Sequence, residues 1–279
     1  MIDTENFVAH LRSSGRSEKT IKLYLMFLKA FLSSIDTDVA HISYDNHVVP
    51  FLSKYSNQNT RNTCKMALRN YFRYHGRSDL LQLIRGVKIG RKVELLPSQV
   101  EVLQLIKSIP DKKVLDKTLI VFLYSTGLRV DECCQCRKFH VDFKNKWVFV
   151  KFGKMGHERN VRFIPDITFE LLKTMWSKRR TVSEYAFVDR HGRKLNVNQV
   201  GYIIKKWWTK LNIEKKCHPH TLRKCYVTHS IDQGAKEIIV SKNAGHSSLS
   251  VTLEKYFMVE CLVGKISNPY LYPWNEVIT

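Results

Sequence analysis

The chain has 279 residues, of which 44% are hydrophobic, so it can form one large domain or two ordinary ones with buried cores. Lysine and arginine number 46 against 25 acidic residues, a net charge of +21 at pH 7, which indicates a polyanionic partner such as nucleic acid. The longest apolar and aromatic run, residues 119–124, is too short to cross a membrane. The N-terminus lacks the cations and the apolar stretch of a secretory signal, so we expect a cytoplasmic protein.

The first third of the chain predicts helices. Apolar residues recur at spacings of three and four between Ile21 and Ile35, and Ser17 is placed to cap that helix. A second helix is predicted over residues 60–74. Along one of its faces four cations recur every four residues: Arg61, Lys65, Arg69 and Arg73. This cation stripe is either an ordinary solvated face or a row of contacts to DNA phosphates, and the motifs further along the chain favour DNA.

The helical pattern lapses over residues 86–96, where two glycines accompany a run of cations. This composition predicts a basic linker between a helical domain at residues 1–85 and a second domain at residues 97–279. Since both halves of the chain are basic, we expect the two domains to close round a DNA duplex. The linker cations expected to contact DNA are Lys88, Arg91 and Lys92.

The second domain is predicted to be mainly helical with a small antiparallel sheet. Two strands are expected to form a hairpin, because Gly153 and Gly156 lie in the segment that connects them. The fold class is therefore mainly α with a small antiparallel β-sheet, in two domains. The predicted strands are residues 147–152 and 159–164, and the predicted helices are residues 97–109, 114–125, 168–178, 197–211, 220–233, 235–243 and 248–257.

Four separated segments carry residues suited to chemistry on a phosphate. In TGLRVDE, Arg129 and Glu132 are three apart and are expected on one helix face; in HPHTLRKCYVTH, His220 and Arg223 have the same spacing. The segment FGKMGHER carries Lys154 in the hairpin turn. The segment AGHSSLSVTLEKYF carries His246 and Tyr256. Each segment alone is a weak signal, but the four together, in this order, are specific.

Together these segments resemble the tyrosine recombinases, which include integrases of phages, plasmids and archaeal elements and the Xer-type chromosome resolvases. The resemblance covers residues 97–257, and the helices before it are compatible with the family's core-binding domain. It implies a site-specific recombinase or integrase that cleaves and rejoins DNA strands through a 3′-phosphotyrosine, without metal or ATP. It implies that Glu132 supports the site, whose catalytic residues are Arg129, Lys154, His220, Arg223, His246 and the nucleophile Tyr256.

The chemistry explains why such residues are needed. Two guanidiniums can bind the non-bridging oxygens of a phosphodiester and offset the added charge of the transition state. His220 is the best candidate for the base that activates the tyrosine, with His246 positioning the phosphate, and Lys154 can protonate the leaving oxygen. No cofactor is expected, which agrees with the absence of a phosphate-binding loop or a carboxylate cluster from the sequence.

Cysteines give one competing signal. The seven cysteines have no disulfide-scaffold spacing, and three of them cluster at Cys133, Cys134 and Cys136. A metal site there would need partners such as His218 or His220. Adjacent residues on a helix point about 100° apart, so core filling is favoured over metal binding.

The expected partner is double-stranded DNA, which would place the protein with the nucleoid. From the resemblance we expect a homotetramer on two DNA sites and monomers in solution. The tail at residues 258–279 is apolar, and it is predicted to dock either on a neighbouring protomer or on its own domain. The histidine-to-tyrosine spacing is ten residues, one more than the family's usual nine, so attack within one protomer and attack on a neighbour's site both remain open.

Two alternatives share the same motifs. A type IB topoisomerase would use a similar set of residues to relax one duplex without exchanging strands. A non-catalytic DNA-binding protein could keep the fold after losing the chemistry, although every expected catalytic position is filled here. A reading in which the four segments are only core and surface residues is the least favoured.

Overall fold

The computed structural model describes residues 4–87, 94–151 and 158–245. The chain divides into two compact units, residues 1–92 and 93–279. Within the described ranges, no helix is long and apolar enough to cross a membrane. The predicted helix at residues 248–257 lies outside these ranges, and so do six predicted site residues: Lys88, Arg91, Lys92, Lys154, His246 and Tyr256.

The first unit is helical throughout its regular structure. The predicted cap is confirmed, because the Ser17 hydroxyl accepts a hydrogen bond from the Thr20 amide at 3.3 Å. Apolar side chains at spacings of three and four give each long helix one buried face. The two long helices, residues 18–32 and 58–74, pack against each other around Phe31, Leu68 and Phe72. The described helices are α1 (Thr4–Ser13), α2 (Glu18–Leu32), α3 (Val49–Ser53), α4 (Gln58–Tyr74) and α5 (Ser78–Leu83).

The second unit confirms the predicted fold class, since it combines helices with one three-stranded antiparallel sheet in the order β1-β2-β3. Val148 on the central strand lies opposite Val141 on one side and Val161 on the other, and all three valines face the core. The strands are β1 (Val141–Asp142), β2 (Trp147–Val150) and β3 (Arg159–Val161). The described helices are α6 (Gln99–Lys107), α7 (Val114–Thr126), α8 (Val130–Gln135), α9 (Asp166–Ser177), α10 (Val197–Trp208), α11 (Pro219–Asp232) and α12 (Glu237–Ala244).

Helix α7 lies at the centre of this unit, with α9 and α11 packed against it. The helix is capped at its C-terminus by Gly127, whose φ of 61° is in the left-handed region that favours glycine. A Cβ at this position would lie 2.2 Å from Cδ1 of Tyr226, so α11 also leaves no room for a side chain here. The turn directs the chain away from α7 two residues before Arg129.

Strand β3 is shorter than predicted. The sequence pattern extends the strand to residue 164, but the strand ends at Val161 and Phe163 has a φ of 61°. The main chain of Arg162 pairs instead with a side chain of α12: its amide donates to Oδ1 of Asn243 at 3.2 Å, and its carbonyl accepts from Nδ2 at 2.9 Å. A side-chain amide thus takes the place of a neighbouring strand and ties β3 to α12.

The clustered cysteines lie in the hydrophobic core of this unit. Cys133, Cys134 and Cys136 are all buried, and burial raises the pKa of Cys136 to about 12. All three side chains pack among the apolar residues of this core, which agrees with the core-filling role that the sequence favoured.

Candidate active site

Arg129 is held by contacts on both sides of its guanidinium. Its Nη1 donates to Oε1 of Glu132 at 3.0 Å, and its Nη2 donates to the carbonyl of Gly245 at 2.9 Å. Among the described residues these contacts use two of its five N–H bonds, and its side chain is 31% exposed. The group is therefore fixed in direction while part of it stays accessible to a ligand.

The sequence placed Arg129 and Glu132 on one helix face, and this detail is wrong. Arg129 has extended backbone angles and is the residue that precedes α8, so only Glu132 is helical. The Glu132 carboxylate reaches back and accepts the Arg129 amide at 2.9 Å. Because the left-handed turn at Gly127 delays the start of the helix, the pairing arises from a helix cap and not from neighbouring positions on one face.

Arg223 approaches the same segment from α11. It is only 3% exposed, and its Nη1 donates to the carbonyl of Gly127 at 2.6 Å. Burial, followed by the charge of Arg129, lowers the pKa of Arg223 to about 10. The group remains charged at pH 7. Two guanidiniums 94 positions apart in the sequence are thus brought to one short segment, as their predicted common role requires.

Glu132 is buried beside a second arginine that the sequence did not single out. Its two carboxylate oxygens accept from Nη1 and Nη2 of Arg159 at 3.0 and 2.7 Å, and both side chains are nearly inaccessible. Burial alone would raise the pKa of Glu132, but the hydrogen bonds and charge of Arg159, together with bonds from Arg129, outweigh it and lower the pKa. The carboxylate is therefore ionised and bridges two arginines.

Of the two arginines that pair with Glu132, only Arg129 is indicated by the sequence pattern. A glutamate three residues after an arginine suggests a local pair, whereas Arg159 is one of 46 cations with nothing in its spacing to single it out. Its position as the first residue of a predicted strand, directly after the glycine-containing hairpin, is the one available hint.

His220 lies in the first turn of α11, and its side chain is exposed. Its ring stacks on that of His218, with centroids 6.4 Å apart and planes within 5°. His218 caps the helix, because its Nδ1 accepts the Thr221 amide at 3.2 Å. The exposed ring of His220 is accessible to a substrate, as a base for the nucleophile would have to be.

Glu94 brings a negative charge to the start of α11. It pairs with Lys224, and one of its oxygens lies 3.9 Å from Nε2 of His218. Burial acts to raise the pKa of Glu94, but Lys224, followed by His218 and His220, outweighs burial and lowers it. The last part of the predicted linker therefore contacts the helix that carries two predicted catalytic residues.

The cation stripe of α4 is present, but three of its four members bind backbone carbonyls. Arg61 donates to Tyr55, Lys65 donates to Arg85 at 3.0 Å, and Arg69 donates to Leu81 and Ile84, each at 2.6 Å. The fourth, Arg73, has an exposed side chain. DNA binding by the stripe remains a prediction, and the contacts give Arg61, Lys65 and Arg69 a structural role as well.

Residues 97–260 match the model of the Phage integrase family. The chain belongs to this family. Tyrosine recombinase XerA of Pyrococcus furiosus is 31% identical over 256 residues, which cover 89% of this chain and 86% of that protein. This member of the phage integrase family is accordingly a tyrosine-type site-specific recombinase, and the topoisomerase and non-catalytic alternatives are not favoured.

Solved structures share the fold. A lambda integrase dimer bound to a COC′ core site has a TM-score of 0.76 at 14% identity, covering 90% of this chain and 93% of that chain. A lambda integrase tetramer bound to a Holliday junction has the same TM-score and identity, covering 90% of this chain and 75% of that chain. These likenesses confirm the predicted fold of this integrase family member.

Proposed function

We propose that the protein cleaves one strand of a DNA duplex by attack of the Tyr256 hydroxyl on a phosphodiester, with Arg129 and Arg223 binding the phosphate. The observation that carries this proposal is that Arg223 binds the carbonyl of Gly127, two residues before Arg129, and lies close enough for the charge of Arg129 to lower its pKa. Arg223 anchors the segment from Gly127 to Arg129 through that carbonyl, and Glu132 orients Arg129 at its end.

The two arginines have the electrostatics that the reaction needs. A phosphodiester repels an anionic attacker, and its transition state gains further charge on the non-bridging oxygens. Planar guanidinium donors match those oxygens, and each well-placed donor is worth about 3 kcal/mol in the transition state. Because Arg223 is buried, its interaction with a phosphate is screened less than that of a surface cation. The arginines therefore supply positive charge of the kind that metal ions supply in other phosphoryl-transfer enzymes.

Proton transfers are assigned to three further residues. Forming phenolate from a tyrosine with a pKa near 10 costs about 4 kcal/mol at pH 7, so the nucleophile needs a base or nearby cations. His220, exposed at the start of α11, is the proposed base, and His246 is proposed to position the phosphate. Lys154 is proposed to protonate the departing 5′ oxygen.

The proposed intermediate conserves the energy of the broken bond. Attack by Tyr256 forms a P–O bond to the phenolic oxygen and breaks the P–O bond to the 5′ oxygen, which leaves as a hydroxyl. The product at the 3′ end is still a phosphodiester, so a 5′ hydroxyl from another strand can reverse the step without ATP or hydrolysis.

Double-stranded DNA is the proposed partner, with a homotetramer assembled on two sites from monomers in solution. The charge of +21 supports the DNA partner, and the DNA-bound dimer and tetramer of lambda integrase are of the same fold. We propose that the first unit contributes through the cation stripe and that Lys88, Arg91 and Lys92 add further phosphate contacts. A DNA-bound protein of this kind would act in the cytoplasm, at the nucleoid.

The proposal is tested on DNA recovered by selection. Duplexes with two randomised arms of about ten base pairs, one helical turn each, are selected for tight binding. The selected site is then nicked on the 3′ side of the scissile phosphate, so that the short fragment carrying the freed 5′ hydroxyl is lost after cleavage and the covalent complex accumulates. A band of protein linked to DNA that survives denaturation supports the proposal, and its absence on every tightly bound duplex contradicts it. Relaxation of supercoiled plasmids that lack the site would favour a topoisomerase.

A further inference from the structure

Arg159 contacts two separate parts of the candidate site at once. Its Nη1 and Nη2 bind the two oxygens of Glu132, and its Nε donates to the carbonyl of Asn243 at 2.7 Å. The three contacts leave the planar guanidinium a single orientation, since they use three different nitrogens. Strand β3, which begins at Arg159, is thus joined both to the start of α8 and to the end of α12.

Arg129 contacts the same two parts of the site, the Glu132 carboxylate and the main chain at the end of α12. It binds the same carboxylate through Nη1, and its Nη2 reaches the carbonyl of Gly245, two residues beyond the carbonyl that Arg159 binds. The Glu132 carboxylate therefore lies between two arginines that both bind the end of α12. If Arg159 were removed, Glu132 would lose two of its four described hydrogen bonds and would keep only those from the amide and the side chain of Arg129 itself.

The main chain at Gly245 packs tightly against the side chain of Arg159. Gly245 has a φ of 67°, and a Cβ there would lie 2.8 Å from Cζ of Arg159, so the main chain lies directly on the guanidinium. The Asn243 side chain also binds both main-chain groups of Arg162, three residues beyond Arg159. A shift of Arg159 is therefore transmitted to the end of α12, one residue before His246 in the sequence.

We propose that Arg159 is a positioning residue for strand cleavage, one that acts through Glu132 to align Arg129 and through Asn243 and Gly245 to fix the end of α12. This inference rests on the proposed function, because alignment matters only if Arg129 binds the reacting phosphate. A buried ion pair is often no more stabilising than apolar side chains of similar volume, so stability alone is a weak reason for placing Arg159 here.

Arg159→Lys is the informative substitution. Lysine keeps the charge beside Glu132 but offers a single ammonium in place of a planar group, and it cannot bind two carboxylate oxygens and a carbonyl in fixed directions. A misplacement of about 1 Å at a reacting centre can cost about 100-fold in rate. We therefore expect the variant to fold and to bind DNA as the wild type does, while its rate of covalent adduct formation falls about 100-fold.

Arg137→Lys is the matched control. Arg137 also pairs with a glutamate, Glu184, at 2.9 Å in the same unit, but that pair is exposed. Adduct formation is measured in single turnover at saturating DNA for the wild type and both variants, alongside Kd and Tm. The control is expected to match the wild type in all three.

A double variant separates positioning from general stabilisation. If Arg159 acts in part through Arg129, then adding Arg159→Lys to Arg129→Lys slows cleavage by much less than adding it to the wild type, because one of the groups being aligned is already lost. Fully additive losses, or an Arg159→Lys variant that cleaves at the wild-type rate, would overturn the inference while leaving the proposed function intact. Failure of the wild type to form an adduct would overturn the proposed function and this inference with it.

Discussion

Arg223 donates a hydrogen bond from Nη1 to the carbonyl of Gly127 across 2.6 Å, so a helix near the end of the described chain fixes the turn that precedes Arg129. The turn is possible only because Gly127 accepts a positive φ and lacks a side chain that would collide with Tyr226. One buried arginine thereby serves two purposes, since it holds the segment that presents Arg129 and is itself proposed to bind the phosphate.

Replacing Arg223 with lysine is expected to slow adduct formation by about 100- to 1,000-fold, the usual cost of losing one donor to transition-state charge. DNA affinity should change much less, because most binding contacts lie elsewhere along the duplex. Arg179→Lys is the control: Arg179 is also an arginine whose pKa is lowered by burial, and it donates to the carbonyls of Tyr185 and Ala186. Equal losses of cleavage in the two variants would mean that Arg223 has only a structural role.

Lys154→Ala is expected to slow cleavage by about 10²- to 10⁴-fold, the range for a general acid. A substrate with sulfur in place of the 5′ bridging oxygen has a leaving group that needs no proton. Cleavage of that substrate should therefore be nearly as fast in the variant as in the wild type. A variant that remains slow on the sulfur substrate would show that Lys154 does something other than protonate the leaving group.

The residues of the cation stripe on α4 differ in their contacts, so DNA binding and structural support can be tested at different positions. Arg73→Gln is expected to lower DNA affinity and reduce the slope of log K against log salt by about 0.9 for one lost phosphate contact, with Tm unchanged. Arg69→Gln is expected to lower the free energy of unfolding by about 1–3 kcal/mol, because the carbonyls of Leu81 and Ile84 lose their donor. Binding titrations at several salt concentrations and urea unfolding measure both effects. An unchanged salt slope in Arg73→Gln would show that Arg73 is an ordinary solvated residue without a phosphate contact.

His229 makes stability depend on pH. Burial lowers the pKa of His229 to about 4, against weaker opposing effects of the Pro97 carbonyl and Glu101, while a histidine in an unfolded chain titrates near 6.5. Between these values the unfolded state binds a proton that the folded state does not. The free energy of unfolding therefore rises with pH, by up to about 1.4 kcal/mol per unit from this group.

A His229→Gln variant removes this titration. Its free energy of unfolding, measured by urea titration across the same pH interval, is expected to change less steeply than that of the wild type. The variant should also be less stable at pH 7, since Nδ1 of His229 lies 2.8 Å from the Tyr124 hydroxyl in a buried pair. Identical slopes for the two proteins would show that His229 is not the group responsible.

Much of the fold could be predicted because local signals and burial agree. The apolar periodicity of α2 and the cap at Ser17 point to the same helix, and Gly127 marks the end of α7 for a reason visible in the sequence. Strand β1 has only two residues, too few for any pattern. Strand β3 stops early because its partner after Val161 is the side chain of Asn243, 81 residues away from the Arg162 main chain that it binds.

Motif order singled out Arg129, Glu132, His220 and Arg223, whose catalytic roles remain predictions. The contacts that the motifs could not give are the long-range ones, from Arg129 to the carbonyl of Gly245 and from Arg223 to the carbonyl of Gly127. Arg159 was missed because its role exists only where β3 meets Glu132 and the end of α12. The carbonyl contacts of Lys65 and Arg69 were likewise hidden, since they join α4 to residues 12 to 20 positions further along.

The most direct test of the account is to identify the residue that becomes linked to DNA. The trapped complex is digested with protease and nuclease, and mass spectrometry locates the nucleotide remnant among the twelve tyrosines of the chain. We predict a single modified peptide that contains Tyr256, and no adduct from Tyr256→Phe, which loses only the phenolic oxygen and should bind DNA as the wild type does. A remnant on another residue, or an undiminished adduct in Tyr256→Phe, would contradict the account.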